Sequence, residues 1–266
     1  MLLAIDIGNT NTVIGLYDKV GSIHELTLQH HWRLDTKKER TGDEWGVFLK
    51  ELFQFEKITL DQVAGVVISN VVPAMQRAIT DMCTRYLKKK PAIVGPDLKI
   101  DMAIATDKPE EVGADRIVNA VAAFHRFKTD LIIVDFGTAT TFDYVSKEGE
   151  YMGGLIVPGI SISADALFAN AAQLPRVEIA RPKQVIGKNT VECIQSGIYY
   201  GYVGMVDSVV TRMEKEIGRK AKVIATGGLS SLIAQDSKKI DITDEFITLE
   251  GLKLIYEWNQ PLPNAH

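Results

Sequence analysis

The sequence predicts an α/β protein made of two similar halves, each a mixed β-sheet flanked by helices. Apolar strands alternate with helical patterns along most of the 266 residues. Two of the strands end in the same pattern, an Asp, one apolar residue, a Gly and a polar turn, which begins at Asp6 and again at Asp135. Because the chain is about twice the usual size of one domain, we expect two domains, residues 1–127 and 128–266.

The first half is predicted to open with a β-hairpin. A short apolar run, Leu2 to Ile7, is followed by a polar turn and a second apolar run, Val13 to Tyr17. Pro73 then suits the first turn of a helix, where its missing N–H costs nothing. The remaining predicted elements are a third strand over His24–Leu34, a helix over Thr41–Phe55, a strand over Val63–Ser69, a helix from Pro73 to about Lys88, a strand over Ala92–Val94 and a helix over Val112–Phe127.

The second half is predicted to repeat this order. Its apolar strand Leu131 to Gly137 is followed by a return strand over Thr141 to Val145. The later elements are a strand over Gly154–Val157, a helix over Ile162–Ala172, a long helix over Asn189–Ile217, a strand over Val223–Ala225 and a helix after Gly227–Gly228.

The composition favours a globular enzyme and argues against a nucleic-acid-binding protein. Hydrophobic residues make up 46% of the chain and charged residues 24%, which is enough apolar surface for a substantial core. The net charge of −4 provides no broad positive field for a nucleic acid. The one basic cluster, Lys88–Lys90, is interpreted as the solvated end of a helix.

Cysteine usage and hydropathy indicate a cytoplasmic protein. Cys83 and Cys193 lack metal-ligand spacing, so neither a zinc site nor a disulfide framework is expected. Asp6 comes too early for a signal peptide, and no apolar run approaches the ~20 residues of a membrane helix. We therefore expect no membrane association.

The segment Asp6 to Thr12 has the residue types of a phosphate-binding turn. Glycine lets backbone amides approach an anion, hydroxyl and amide groups donate to phosphate oxygens, and the Asp can hold a hydrated Mg²⁺. The same run also suits a plain hairpin turn, because Gly, Asn and Thr are common there.

The second copy, Asp135 to Thr141, favours the functional interpretation. Independent turns seldom repeat an Asp-x-Gly-polar pattern at equivalent points of two halves. The chain has neither the Rossmann glycine fingerprint nor the Walker lysine motif. The paired turns are therefore the candidate site for a nucleotide polyphosphate.

An ordered set of short motifs extends this pattern along the chain. In sequence order they are Asp6–Thr10, Glu111–Arg116, Asp135–Thr140, Gly153–Gly159, Gly187–Thr190 and Thr226–Gly228. With them the chain resembles the superfamily of acetate and sugar kinases, heat-shock ATPase chaperones and actin, and more narrowly the type III pantothenate kinases. The resemblance implies duplicated actin-like, ribonuclease H-like domains with the nucleotide in the cleft between them. It also implies ATP-dependent phosphorylation of pantothenate to 4′-phosphopantothenate, the first step of coenzyme A biosynthesis.

The resemblance also implies how ATP and its cations are bound. Asp6 would hold Mg²⁺ through water, and Asp135 would hold a monovalent cation, K⁺ or NH₄⁺. Gly227–Gly228 would pack against the adenosine, although a simple strand-to-helix turn explains these glycines equally well. The residues implied to line ATP are Asp6, Ile7, Gly8, Asn9, Thr10, Asn11, Thr12, Val13 and Thr138.

The acceptor is expected at Gly113, Ala114, Asp115 and Arg116. Phosphoryl transfer needs an alcohol oriented in line and a carboxylate that accepts its proton, and Asp115 is the candidate base. The guanidinium of Arg116 matches the carboxylate of pantothenate. Without the resemblance, an Asp in a first helical turn and a neighbouring surface Arg would need no functional explanation.

Thr190 is implied to contact the substrate from the neighbouring subunit of a homodimer, so that the substrate pocket lies near the interface. Asn189 or Thr190 also suits a helix cap, with Glu192 nearby. The sequence departs from many relatives at Thr106, where they have a tyrosine that closes over the substrate. The acceptor pocket is therefore expected to close differently here.

Two other functions remain open at this point. One is a kinase that phosphorylates another small alcohol on the same scaffold. The other is a nucleotide-binding regulator that has kept the fold without catalysis. The acidic net charge argues against direct DNA binding, and the presence of Asp6, Asp115 and Asp135 together argues against a loss of catalysis.

Overall fold

The structure, a computed structural model, describes residues 1–19, 25–171 and 174–260. Its strands are β1 (Leu2–Ile7), β2 (Asn11–Lys19), β3 (Leu26–Asp35), β4 (Gly65–Asn70), β5 (Ala92–Ile93), β6 (Ala103–Ile104), β7 (Leu131–Phe136), β8 (Ala139–Val145), β9 (Glu150–Pro158), β10 (Lys222–Thr226) and β11 (Ile242–Thr243). Its helices are α1 (Gly42–Phe55), α2 (Gln76–Met82), α3 (Ala114–Phe127), α4 (Ile160–Asn170), α5 (Thr190–Ile217), α6 (Ser230–Ile233) and α7 (Ile247–Trp258). Among these described helices, none combines the length and apolar character needed to cross a membrane.

The chain divides into two compact units. The first is built from the described parts of Met1–Asp101, Lys108–Ala122 and Thr248–His266, and the second from those of Met102–Asp107 and Ala123–Ile247. This division differs from the predicted boundary between residues 127 and 128 at three places: residues 102–107 and 123–127 belong to the second unit, and the described residues from Thr248 onward belong to the first.

Side-chain contacts explain why the end of the described chain belongs to the first unit. The hydroxyl of Thr248 donates to Asn119 Oδ1 at 2.7 Å. The side chain of Asn259 accepts from the Lys99 amide and donates to the Lys99 carbonyl, both at 2.9 Å. Residues 102–107 belong to the second unit because β6 pairs with β9.

The first unit contains a five-stranded mixed sheet with the strand order β3-β2-β1-β4-β5. β1 pairs antiparallel with β2 and parallel with β4. Alternate residues of β1, namely Leu3, Ile5 and Ile7, enter a buried core that also includes Trp45 and Phe53 of α1. α1 begins at Thr41, which forms a reciprocal capping box with Glu44.

The second unit contains a six-stranded mixed sheet with the order β11-β10-β7-β8-β9-β6. β7 pairs antiparallel with β8 and parallel with β10. One face, including Val134 and Phe142, packs against Tyr199, Val206 and other residues of the long helix α5. The sheet therefore repeats the arrangement of the first, with β7, β8, β9, β10 and β11 in the places of β1, β2, β3, β4 and β5.

The predicted α/β class with two mixed sheets is confirmed. The helix predicted from Pro73 is divided into a 3₁₀ turn over Pro73–Met75, α2 and a π-helical turn over Cys83–Leu87, and it ends at Lys88 in a left-handed conformation. β6, β11 and α7 were not predicted. The predicted ends at His24 and Ala172 lie outside the described residues.

Candidate active site

The first predicted turn joins β1 to β2. Asp6 is the penultimate residue of β1 and is half-buried. Its neighbours across the sheet are Val13 on β2 and Ser69 on β4. The amide of Gly8 donates to the carbonyl of Asn11 at 3.0 Å, which closes the turn and leaves Asn9 exposed at its tip.

Thr36, which the sequence did not single out, directly follows β3 and forms hydrogen bonds to this turn. Its hydroxyl donates to the carbonyl of Gly8 at 2.7 Å and lies 2.9 Å from the hydroxyl of Thr12. Its amide donates to the carbonyl of Thr10 at 2.8 Å. The sequence offered only a weak signal, a Thr two residues after the predicted strand His24–Leu34, because the contact depends on how β3 pairs with β2.

Ser69 is the other residue near the first turn that sequence reasoning missed. It is fully buried, and its hydroxyl has no hydrogen-bond partner within the described parts of the chain. Since neighbouring residues of parallel strands point to the same face, this hydroxyl and the Asp6 carboxylate lie on one side of the sheet.

The second predicted turn joins β7 to β8 and has the same arrangement. Asp135 is the penultimate residue of β7 and is half-buried, with Thr141 on β8 and Thr226 on β10 as its neighbours. The carbonyl of Thr138 accepts from the amide of Gly159 at 3.1 Å.

Gly227 packs closely beside Asp135. It has a φ of +87°, and a Cβ there would lie 2.7 Å from Asp135 Oδ1 and 2.6 Å from the carbonyl oxygen of Phe136. A side chain is therefore excluded at Gly227, whose backbone closely approaches these two oxygen atoms.

The predicted acceptor residues lie where α3 begins. Ala114 is the first residue of the helix and Asp115 lies in its first turn. Asp115 Oδ1 accepts from the amide of Arg116 at 2.8 Å, and a Cβ on Gly113 would lie only 2.7 Å from the same oxygen. Gly113 therefore makes room for a carboxylate that the next peptide group orients.

Thr190 begins α5 and is exposed. The cap belongs to Asn189, whose side chain accepts from the amide of Glu192 at 3.0 Å. Thr190 lines an open pocket of about 660 Å³ together with Leu167, Lys188 and Gly197. None of the other predicted site residues lines that pocket. The pocket is therefore separate from the two phosphate-binding turns.

Thr106 occupies the position at which the sequence departs from many relatives. Its hydroxyl is buried without a hydrogen-bond partner in the described chain. It lies near Gly153, where a Cβ would be 3.7 Å from the Thr106 methyl group. A threonine is thus packed into the second unit at this position.

The fold distributes the predicted residues between the two units. The first unit contains Asp6 to Val13 and Gly113 to Arg116, and the second contains Asp135, Thr138 and Thr190. Within the described residues, no group of His, Cys, Asp and Glu side chains forms a metal cage.

Comparison with known proteins identifies the family. The family model described as type III pantothenate kinase matches residues 2–212. The chain belongs to the type III pantothenate kinase family. It is 52% identical to the type III pantothenate kinase of Geobacter sulfurreducens over 98% of this chain and 100% of that protein. It is 53% identical to the type III pantothenate kinase of Myxococcus xanthus over 97% of this chain and 99% of that protein.

A solved structure confirms the duplicated actin-like fold predicted for this family member. The structure of a candidate 2-dehydro-3-deoxygalactonokinase from Sinorhizobium meliloti has a TM-score of 0.61 and covers 100% of this chain, which covers 99% of that one. Because the two sequences are only 12% identical, this likeness shows the fold alone.

Proposed function

We propose that this chain transfers the γ-phosphoryl group of ATP to the primary hydroxyl of pantothenate, which gives 4′-phosphopantothenate and starts coenzyme A biosynthesis. The observation that carries the proposal is the family match over residues 2–212, which includes every residue predicted for the site except Gly227 and Gly228. In the transfer, the bond from the hydroxyl oxygen to phosphorus forms as the bond to the bridging oxygen of ADP breaks.

The first turn is proposed to bind the ATP phosphates. Asp6 to Val13 offer backbone amides and short polar side chains, which suit phosphate oxygens. The carboxylate of Asp6 and the neighbouring hydroxyl of Ser69 are hard oxygen donors of the kind that Mg²⁺ prefers. The absence of a cage among the described residues fits an ion held mainly through water and phosphate. When bound, Mg²⁺ neutralises the charge that develops on the phosphates.

Asp115 is proposed to accept the proton of the pantothenate hydroxyl. The Arg116 amide fixes one of its oxygens, so the orientation of the carboxylate is set before substrate binds. The carboxylate lies in the first turn of α3, at the end of the helix where the backbone dipole is positive. Arg116 is proposed to bind the carboxylate of pantothenate, with Gly113 and Ala114 as backbone contacts of the acceptor.

Asp135 is proposed to hold a monovalent cation, and Thr138 to contact ATP. The fit rests on the donor chemistry of the Asp135 carboxylate and the Phe136 carbonyl, whose oxygens both lie close to Gly227. Carboxylate and carbonyl oxygens suit K⁺ or NH₄⁺, which needs no rigid cage.

We infer a homodimer in which Thr190 contacts substrate bound mainly by the partner. Among the described residues of the second unit, nine large apolar side chains are exposed, and one of them, Leu167, lines the pocket together with Thr190. They are Met152, Leu155 and Ile156 of β9, Ile162, Leu167 and Phe168 of α4, Val185, Ile186, and Val191 of α5. We call this set the apolar face. On α5, no atom of the described residues outside the helix lies within 4 Å of a Cβ placed on Gly197, Gly201 or Gly204. A second copy would cover both features.

The proposal is tested by measuring ADP release with Mg²⁺, K⁺, ATP and either pantothenate or one of a panel of other small alcohols. We expect turnover with pantothenate well above the rate without acceptor, and a product that mass spectrometry identifies as phosphopantothenate. Turnover only with another alcohol would assign the chain to a different acceptor. ATP binding with no turnover of any acceptor would indicate a regulator.

A further inference from the structure

We propose that Thr36 is a positioning residue for ATP, because it fixes the peptide groups of the first phosphate-binding turn. The inference rests on the proposed function, in which residues 6–13 bind the ATP phosphates. Thr36 itself follows β3 and lies outside that segment by sequence. Its hydroxyl donates to the carbonyl of Gly8 at 2.7 Å, and its amide donates to the carbonyl of Thr10 at 2.8 Å.

These bonds orient the donors of the turn. No cis peptide bond occurs in the described chain, and in a trans peptide the C=O and the following N–H point in opposite directions. Fixing the carbonyl of Gly8 toward Thr36 therefore turns the amide of Asn9 away from Thr36. The bond to Thr10 does the same for the amide of Asn11. Both N–H groups are thus directed to the opposite side of the turn, where a phosphate can accept from them.

The hydroxyl contact has a specific partner network. Thr36 Oγ1 lies 2.9 Å from Thr12 Oγ1, and Thr12 is fully buried. One hydroxyl can donate and accept at once, so Thr36 can donate to Gly8 while it accepts from Thr12. This arrangement keeps the threonine in one rotamer and gives the Gly8 carbonyl a hydrogen-bond partner.

The second unit repeats the contact with a different residue. Gly159 follows β9 as Thr36 follows β3, and its amide donates to the carbonyl of Thr138 at 3.1 Å. A Cβ on Gly159 would collide with the carbonyl oxygens of Gly137 and Thr138. The residue after β3 therefore holds the turn of the first unit through its hydroxyl, and the residue after β9 holds the turn of the second unit through close backbone approach.

The inference is tested by measuring Mg·ATP binding by calorimetry without acceptor, using Thr36→Val, Thr36→Ser and the control Thr27→Val. Thr27 lies on the same strand, and its hydroxyl donates to the carbonyl of Asp18 at 3.2 Å, which is not part of the turn. Valine keeps the shape and the backbone bond of Thr36 but loses the hydroxyl. Serine keeps the hydroxyl and the backbone bond but loses the methyl group.

We expect Thr36→Val to weaken Mg·ATP binding about tenfold, and Thr36→Ser to stay within about threefold of the natural chain. Thr27→Val should bind Mg·ATP normally. In turnover assays the KM for ATP should rise with Thr36→Val while the KM for pantothenate stays unchanged. If Thr36→Val does not fold, Thr36→Ala is measured in its place with the same expected loss.

Normal Mg·ATP binding by Thr36→Val would overturn the inference, and so would equal losses in the valine and serine variants or in the Thr27 control. Failure of the proposed function is separable, because the binding measurement needs no acceptor. Natural chain that binds Mg·ATP but does not phosphorylate pantothenate contradicts the function only. Normal turnover of pantothenate with unaltered binding by Thr36→Val contradicts the Thr36 inference only.

Discussion

Asp6 and Asp135 occupy equivalent positions in two sheets of the same strand order. Each is the penultimate residue of a central strand that pairs antiparallel with the next strand and parallel with a later one. In both sheets the residue beside the Asp on the parallel strand carries a hydroxyl, Ser69 in one and Thr226 in the other. The weak repeat in the sequence thus corresponds to a repeat in structure.

Activity is expected to depend on a small monovalent cation, because Asp135 is proposed to hold one. ADP release with pantothenate should be much faster in K⁺ or NH₄⁺ than in a bulky organic cation at equal ionic strength. Asp135→Asn should reduce this difference, since the amide lacks the negative charge. Equal rates of the natural chain in K⁺ and in the organic cation would contradict the assignment.

The apolar face is expected to form the dimer interface. Replacing Ile186 by Asp should place a charge in the interface and shift the mass measured by light scattering from dimer to monomer. Phe55→Asp is the matched control, because Phe55 is 84% exposed in the first unit and Ile186 is 81% exposed in the second. Monomeric natural chain at micromolar concentration, or an Ile186→Asp variant that remains dimeric, would argue against this interface.

Asp236 is expected to make stability depend on pH in the acid range. Hydrogen bonds from Arg181 and then from Tyr199 lower the pKa of Asp236 from 3.8 to about 2. The unfolded chain therefore takes up this proton at a higher pH than the folded chain does. Asp236 contributes stability that is fully present above pH 3.8 and is lost as the pH falls toward 2.

Urea unfolding of the natural chain and of Asp236→Asn tests this dependence. The natural chain should be the more stable at pH 7, and the difference should remain constant down to about pH 4 and then shrink. Asp101→Asn, at an exposed position, should follow the natural chain throughout. A difference that grows as the pH falls below 4 would contradict the role of the Arg181–Asp236 pair.

Cys83 is expected to resist thiol reagents in the folded protein. It is fully buried, and burial raises the pKa of its thiol to about 12, so almost no thiolate is present at neutral pH. In a Cys193→Ser variant, the folded protein should show no reactive thiol, and unfolding should expose one. Rapid labelling of that variant under native conditions would show that the core around Cys83 opens.

Local sequence patterns were sufficient to predict the strands and turns that carry the site. β1 and β7 are apolar runs that end in the same polar pattern, and such features depend on residues close in sequence. Thr36 was missed because its contact with Gly8 joins residues 28 positions apart. Only the pairing of β2 with β3 brings them together.

The helix α7 was missed for a different reason. Ile247, Leu249, Leu252, Leu254 and Ile255 are all buried, as is Lys253, and the polar residues Glu250, Lys253 and Glu257 form only a narrow stripe. A short helix that is buried on most sides is harder to recognise in sequence than one with a broad polar face. The predicted boundary places this segment with the second half of the chain, whereas the described residues from Thr248 onward belong to the first unit.

The most direct test of the proposed mechanism compares the natural chain with Asp115→Asn. With pantothenate, Mg²⁺ and K⁺, the natural chain should release ADP, and Asp115→Asn should lower kcat by about 10² to 10⁴-fold because the base is lost. Mg·ATP binding, measured without acceptor, should change far less. Full phosphorylation activity in Asp115→Asn would contradict the account.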